Sequence, residues 1–216
     1  MKPSVGPKKQ PLRRSANPLP GKKSHSWLLW QAVGPSDRFA RFVRLVQEKI
    51  VDEITRLAAS LGKHLQAVNA QVATAESCTG GGIAEAITRI GGSSAWFEAG
   101  YVTYSNTQKT RQLDVPAELF ETVGAVSQPV VEAMVRGAQE RSGARFAVAV
   151  SGVAGPGGGS VEKPVGTVWL CWGMGDMLIA RRRQFDGDRD EVRRQTVKAA
   201  LEGLIQLAVG EMPKQG

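Results

Sequence analysis

Apolar positions along the chain change period several times, and each change marks an element. Phe39, Phe42, Val43, Val46, Ile50, Ile54, Leu57 and Leu61 recur at three and four, the spacing of a single buried helical stripe. Ser36 and Asp37 can cap its start, and Gly62 is expected to stop it. A short apolar run over residues 72–75, the turn SCTGGG and helical spacing over 83–90 read as strand, glycine loop and helix. Residues 95–106 alternate and are rich in aromatic and β-branched types, which predicts a strand. A short helix is expected over 116–123, and a longer one over 129–142 capped by Ser127. Residues 146–150 form a continuous apolar run, the mark of a strand buried on both faces. That run empties into SGVAGPGGGSVEKP, a loop too rich in glycine for regular structure. Two strands over 166–172 and 178–185 can pair as a hairpin, and residues 188–209 close the chain with a helix bearing Val192, Thr196, Ala199, Ala200, Leu204 and Leu207. The alternation predicts a single-domain, layered α/β sandwich whose mixed sheet is covered by helices.

Length agrees with that picture, since 216 residues suffice for one full-sized domain and its core. The net charge of +8 points to nucleic acid until its location is examined. Residues 1–36 contain Lys2, Lys8, Lys9, Arg13, Arg14, Lys22, Lys23 and no acid, so the remainder carries only +1. That stretch is also rich in proline and poor in apolar residues, and is read as a disordered basic tail preceding a domain at 37–210. Nucleic acid is therefore not an expected partner. No run of about 20 apolar residues is present to cross a membrane. The two cysteines, Cys78 and Cys171, have no spacing that suggests a metal site or a disulfide framework, so a reducing cytoplasm is expected.

Candidate chemistry concentrates between residues 74 and 109. The SCTGGG turn lies between a strand and a helix, where backbone N–H groups favour an anion or a developing oxyanion; Thr79 and Gly80 are candidate substrate contacts there. A tight turn with Ser77 or Thr79 as a helix cap explains the same residues. The turn lacks the ending of a P-loop and does not match GxGxxG. Ser94 and Lys109 are a candidate nucleophile and base, because a serine hydroxyl needs a base and a buried lysine can serve as one. Read separately, Ser93 and Ser94 are a helix cap, Lys109 a solvated lysine, Tyr104 a core aromatic and Cys78 a buried inert thiol. A second glycine loop, residues 151–160, follows a buried strand where α/β sheets bind ligands. Ser151 and Gly152 open it. Arg189 is suited to a phosphate or carboxylate, or equally to a salt bridge with Asp186, Asp188 or Asp190.

The motifs AESCTGG, GSSAWFEAGYVTYSNTQK, GAVS-x-PVV, AVSGVAGPGGGS-x-EKPVGTV and F-x-GDRDEVR follow one another in register. Together they resemble the CinA C-terminal domain family, over about residues 40–208. For its stand-alone form the resemblance implies hydrolysis of the carboxamide of nicotinamide mononucleotide to nicotinic acid mononucleotide and ammonia, in pyridine-nucleotide salvage. It implies Ser94 as nucleophile, Lys109 as its base, Tyr104 and Ser77 in the same hydrogen-bonded cluster, and Ser151 and Arg189 lining the substrate site. Such chemistry needs no metal or organic cofactor. It does need Lys109 neutral, with its pKa well below the free value of about 10.4. A non-catalytic nucleotide- or protein-binding domain and a DNA-associated protein are the rival readings, and a homo-oligomer is compatible with the sequence.

Overall fold

The computed structural model describes residues 53–214. The tail and the first part of the expected long helix lie outside them. The helix enters as α1 (53–67) and runs through Gly62, which is not its stop. A Cβ on Gly62 would stand 2.7 Å from the ring of Trp96, so glycine is required there for close packing. The elements that follow are β1 (Val72–Glu76), α2 (Gly82–Thr88), a 3₁₀ turn (Ser93–Ala95), β2 (Phe97–Val102), α3 (Asn106–Leu113), α4 (Glu118–Thr122), α5 (Gln128–Ser142), β3 (Phe146–Gly152), β4 (Thr167–Met174), β5 (Met177–Gln184) and α6 (Arg189–Ala208).

The sheet has the order β2-β1-β3-β4-β5, with β1 parallel to β2 and β3, and β4 and β5 antiparallel. Side chains alternate across it and build two cores. Val72, Val148, Val150, Leu170 and Trp172 face α1, α2 and α6, while Ala73, Ala75, Ala147, Ala149 and Cys171 face α3 and α5. The alanines on the second face let α5 lie close to the strands, and no residue of β1 is exposed. The chain crosses from β1 to β2 by α2 on one face and returns from β2 to β3 by α3–α5 on the other. Right-handed crossovers in opposite directions require that arrangement. Chain leaves the carboxyl ends of the adjacent strands β1 and β3 toward opposite edges of the sheet, and the crevice where it diverges is the usual ligand position of an open α/β sheet.

The layered architecture is therefore the one expected, with local differences. The second strand ends at Val102, and α3, a polar helix carrying Lys109, occupies 106–113. Its start is fixed by Ser105, whose Oγ accepts the Gln108 N–H at 3.2 Å. Ser127 precedes α5, but its hydroxyl donates to the Gly124 carbonyl rather than capping the helix. Among the described residues no helix is long and apolar enough to cross a membrane.

Candidate active site

The crevice is built around Lys109. Its side chain is 1% exposed, and its Nζ donates to Ser77 Oγ at 3.1 Å, the Thr103 carbonyl at 2.9 Å and the Tyr104 carbonyl at 3.3 Å. Burial disfavours the ammonium and lowers its pKa to about 8. A neutral amine has two hydrogens and one lone pair. The two carbonyls can only accept, so they claim both hydrogens and leave the lone pair facing Ser77, whose O–H must then donate to it. The geometry thus prepares Ser77 for loss of its proton.

Ser77 is the first residue beyond β1, and its N–H donates to the Val150 carbonyl at 3.1 Å, which seats it on the end of β3. The turn after it owes its shape to Gly80 and Gly81, at φ +60° and +97°, a region costly for side-chain-bearing residues. The anion expected at this turn is supplied by the chain itself. Glu76, fully buried, accepts from Thr79 Oγ1 at 2.6 Å, from the Gly81 and Ile83 N–H groups at 3.0 Å, and from the Ala84 N–H at 2.8 Å. The α2 amides and the Thr79 hydroxyl are thereby spent, and neither is free for a substrate. The Cys78 and Thr79 N–H groups have no oxygen acceptor among the described residues, the Cys78 N–H facing only its own sulfur. Cys78 itself is buried, and burial pushes its thiol up to about 12, so it is no nucleophile at neutral pH.

The second glycine loop meets the same crevice. Arg189, the first residue of α6, donates to the Gly155 carbonyl and to the Tyr104 hydroxyl, each at 3.0 Å. It thus reaches across to the loop and to Tyr104 rather than pairing with Asp186, Asp188 or Asp190. Tyr104 joins the cluster through its carbonyl on Lys109 and its hydroxyl on Arg189, with its ring 59% exposed. Ser151 stands beside Ser77 at the end of β3, and its hydroxyl donates to the Ala125 carbonyl at 2.8 Å. Gly152 is glycine for packing, since a Cβ would strike the Val168 side chain and the Thr167 carbonyl of β4.

Ser94 is not part of this cluster. It lies exposed in the 3₁₀ turn before β2, where the Val72 N–H at the start of β1 meets the Trp96 carbonyl. Lys109 gathers its ligands beyond the other end of β2, and at about 3.3 Å per residue that strand puts roughly 20 Å between the two within one chain. The pair expected between Ser94 and Lys109 is replaced by a pair between Ser77 and Lys109. Two residues escaped the sequence reading. Glu76 had a signal, being the lone charge of a buried apolar strand that ends at a glycine turn. Thr103, whose buried hydroxyl has no partner, had none. Among the described residues no group of three or more His, Cys, Asp or Glu side chains is placed to hold a metal ion.

Comparison with known proteins agrees with this architecture. The sequence pattern of the CinA C-terminal domain matches residues 54–208. A Pseudomonas putida protein named nicotinamide-nucleotide amidohydrolase PncC is 76% identical over 157 residues, covering 73% of this chain and 98% of its own length. A protein of the same name from Escherichia coli K12 is 52% identical over 158 residues, covering 71% and 94%. In structure, the competence/damage inducible protein CihA from Agrobacterium tumefaciens superposes with a TM-score of 0.70 at 47% identity, covering 72% of this chain and 95% of that one. A CinA superfamily protein from Klebsiella pneumoniae gives 0.71 at 35% identity, covering 73% and 98%. Matching strands, turns and helices over almost the full length of these relatives, the chain belongs to the CinA C-terminal domain family.

Proposed function

We propose that this chain hydrolyses the carboxamide of nicotinamide mononucleotide to nicotinic acid mononucleotide and ammonia, with Ser77 as nucleophile and Lys109 as the group that takes and returns its proton. The observation that carries the reading is the buried Lys109 amine, held by two carbonyls with its remaining position on Ser77 Oγ. The substrate is supported by the names of the relatives, which this chain spans almost completely.

In the first step Ser77 Oγ bonds to the amide carbon as its proton passes to Lys109 Nζ, and the carbonyl oxygen becomes an oxyanion. The free N–H groups of Cys78 and Thr79, directly after the nucleophile, are the donors placed to receive it. The C–N bond then breaks and Lys109 returns the proton to the leaving nitrogen, releasing ammonia and leaving an ester on Ser77. Water repeats the sequence with Lys109 as base, and the acid is released with Ser77 and Lys109 restored. At pH 7 a lysine of pKa about 8 is neutral in about one molecule in ten, and the positive pyridinium ring of the substrate raises that share. Arg189, held against Tyr104 and Gly155, is the cation offered to the substrate phosphate, and the exposed Tyr104 ring offers the pyridinium a face. The catalytic unit is assigned to residues 37–210. A charged nucleotide substrate, which does not cross membranes unaided, is consistent with a cytoplasmic reaction in pyridine-nucleotide salvage.

The test is ammonia release from nicotinamide mononucleotide, with nicotinamide as the control. The reading requires one ammonia per nicotinic acid mononucleotide formed and little from nicotinamide. Failure of the wild-type protein to release ammonia from the nucleotide would overturn the assignment.

A further inference from the structure

Glu76 takes no part in those steps, yet it is the one buried acid among the described residues and ends a strand that is otherwise uncharged. A carboxylate removed from water is strongly unfavourable unless its oxygens are well bonded. Here Oε2 accepts from the Thr79 hydroxyl and from the Gly81 and Ile83 N–H groups, and Oε1 from the Ala84 N–H. Its backbone is fixed as well, since Glu76 is in register with Val102 on one side and Val150 on the other, and its carbonyl accepts the Thr103 N–H at 2.9 Å. The segment from Ser77 to Gly81 is therefore tied at both ends by a single residue. Arg193 of α6 adds a third fastening by donating to the Thr79 carbonyl at 3.0 Å.

That segment carries the Ser77 hydroxyl and the two unspent N–H groups. From the reading that Ser77 attacks the amide, we infer that Glu76 is the positioning residue of the acylation step, holding Ser77 against Lys109 and aiming the Cys78 and Thr79 N–H groups at the oxyanion through its bond to the Thr79 hydroxyl. Two other roles for the carboxylate conflict with the geometry. It is no general base, because both oxygens are turned into the turn and the start of α2 and already accept from them. It is no ligand site, because it fills the start of α2 itself. A third consequence is chemical: its negative charge adds to burial in keeping Cys78 a thiol beside the nucleophile.

The role is tested on the full chain with Thr79→Val, which removes one hydrogen bond at nearly constant shape, Thr79→Ser, which restores a donor, and Glu76→Gln, which keeps the shape but loses the charge. Thr79→Val should lower kcat for nicotinamide mononucleotide about 10-fold and Glu76→Gln about 100-fold or more, the range expected when a nucleophile or an oxyanion donor is misplaced. KM should stay within about 3-fold, and the alkaline rise of kcat/KM should keep its wild-type position because Lys109 is untouched. Thr79→Ser should recover most of the kcat lost in Thr79→Val. A merely structural role would instead lower the melting temperature without this split between kcat and KM and without rescue. Labelling of Ser77 by a fluorophosphonate, followed by intact mass, needs no natural substrate and should slow and recover in the same order. A wild type that labels in this pattern but releases no ammonia would remove the substrate assignment and leave Glu76 its role. A folded Thr79→Val protein with wild-type kcat and wild-type labelling would overturn the inference, even were Glu76→Gln too unstable to study.

Discussion

Two glycine turns of this chain each carry a serine that could act as a nucleophile, and they come to opposite chemical ends. Ser77 sits at the carboxyl end of β1, touches a buried lysine and is followed by two free N–H groups. Ser94 sits before the amino end of β2, exposed, and its hydroxyl has no partner among the described residues. Ser77 precedes three glycines and Ser94 follows two, and they lie within 20 residues of each other in sequence. The difference is which end of a strand each occupies. In an open α/β sheet the loops at the carboxyl ends converge on a crevice, whereas the turn at Ser94 lies at the opposite end of the sheet, by the start of β1.

The sharpest way to break the contrast is to delete each hydroxyl. Ser77→Ala should lower kcat by about 10⁴-fold or more, the usual loss when a nucleophile is removed and only binding and oxyanion donors remain. Ser94→Ala should keep activity within about 3-fold. The reverse result, measured as ammonia release, would transfer the site to the other end of the sheet. Next comes the lysine. Lys109→Met should lower kcat by about 10³-fold. Wild-type kcat/KM should rise through a pKa of about 8, because only the neutral amine accepts the Ser77 proton. A flat profile between about pH 6 and 10 would remove Lys109 as base.

A smaller effect probes the scaffold beneath Lys109. Gly137 of α5 lies against the backbone of Leu113, the last residue of α3, so a Cβ there would push into that helix. Gly137→Ala should destabilise the fold by about 2–3 kcal/mol and lower activity through the displaced Lys109, read by thermal melting beside kcat. The smallest effect is a stability difference. Lys109 has a lower pKa folded than unfolded, so between about pH 8 and 10.5 the unfolded chain binds more protons and stability rises with pH. The melting temperature of the wild type relative to Lys109→Met should therefore increase across that window and level off above it. A constant difference would mean that Lys109 titrates normally in the fold.

Much of the layered fold was legible because periodicity reports burial directly: the apolar runs of β1 and β3, the hairpin of β4 and β5 and the stripe of α6 all follow from it. The polar helix α3 was not, because with only Lys109 and Leu113 buried it carries no apolar stripe; the Ser105-x-x-Gln108 spacing was its one local sign. Lys109, Ser77, Tyr104 and Arg189 were legible as a chemical set. Their pairing was not, because the distance between Ser94 and Lys109 along the chain says nothing of the strand that separates them. Glycines were ambiguous for a similar reason. Gly62 and Gly152 serve close packing, while Gly80 and Gly81 serve a turn, and the residue type is the same.

The central claim, that Ser77 carries the acyl group, can be read on the protein itself. Acid quenching of turnover on nicotinamide mononucleotide, followed by trypsin and mass spectrometry, separates the two serines, since cleavage after Lys63, Arg89 and Lys109 leaves Ser77 in the peptide 64–89 and Ser94 in the peptide 90–109. The geometry requires the nicotinoyl adduct on the first peptide, with fragmentation placing it at Ser77 rather than Cys78. An adduct on the second peptide, at Ser94, would contradict the account.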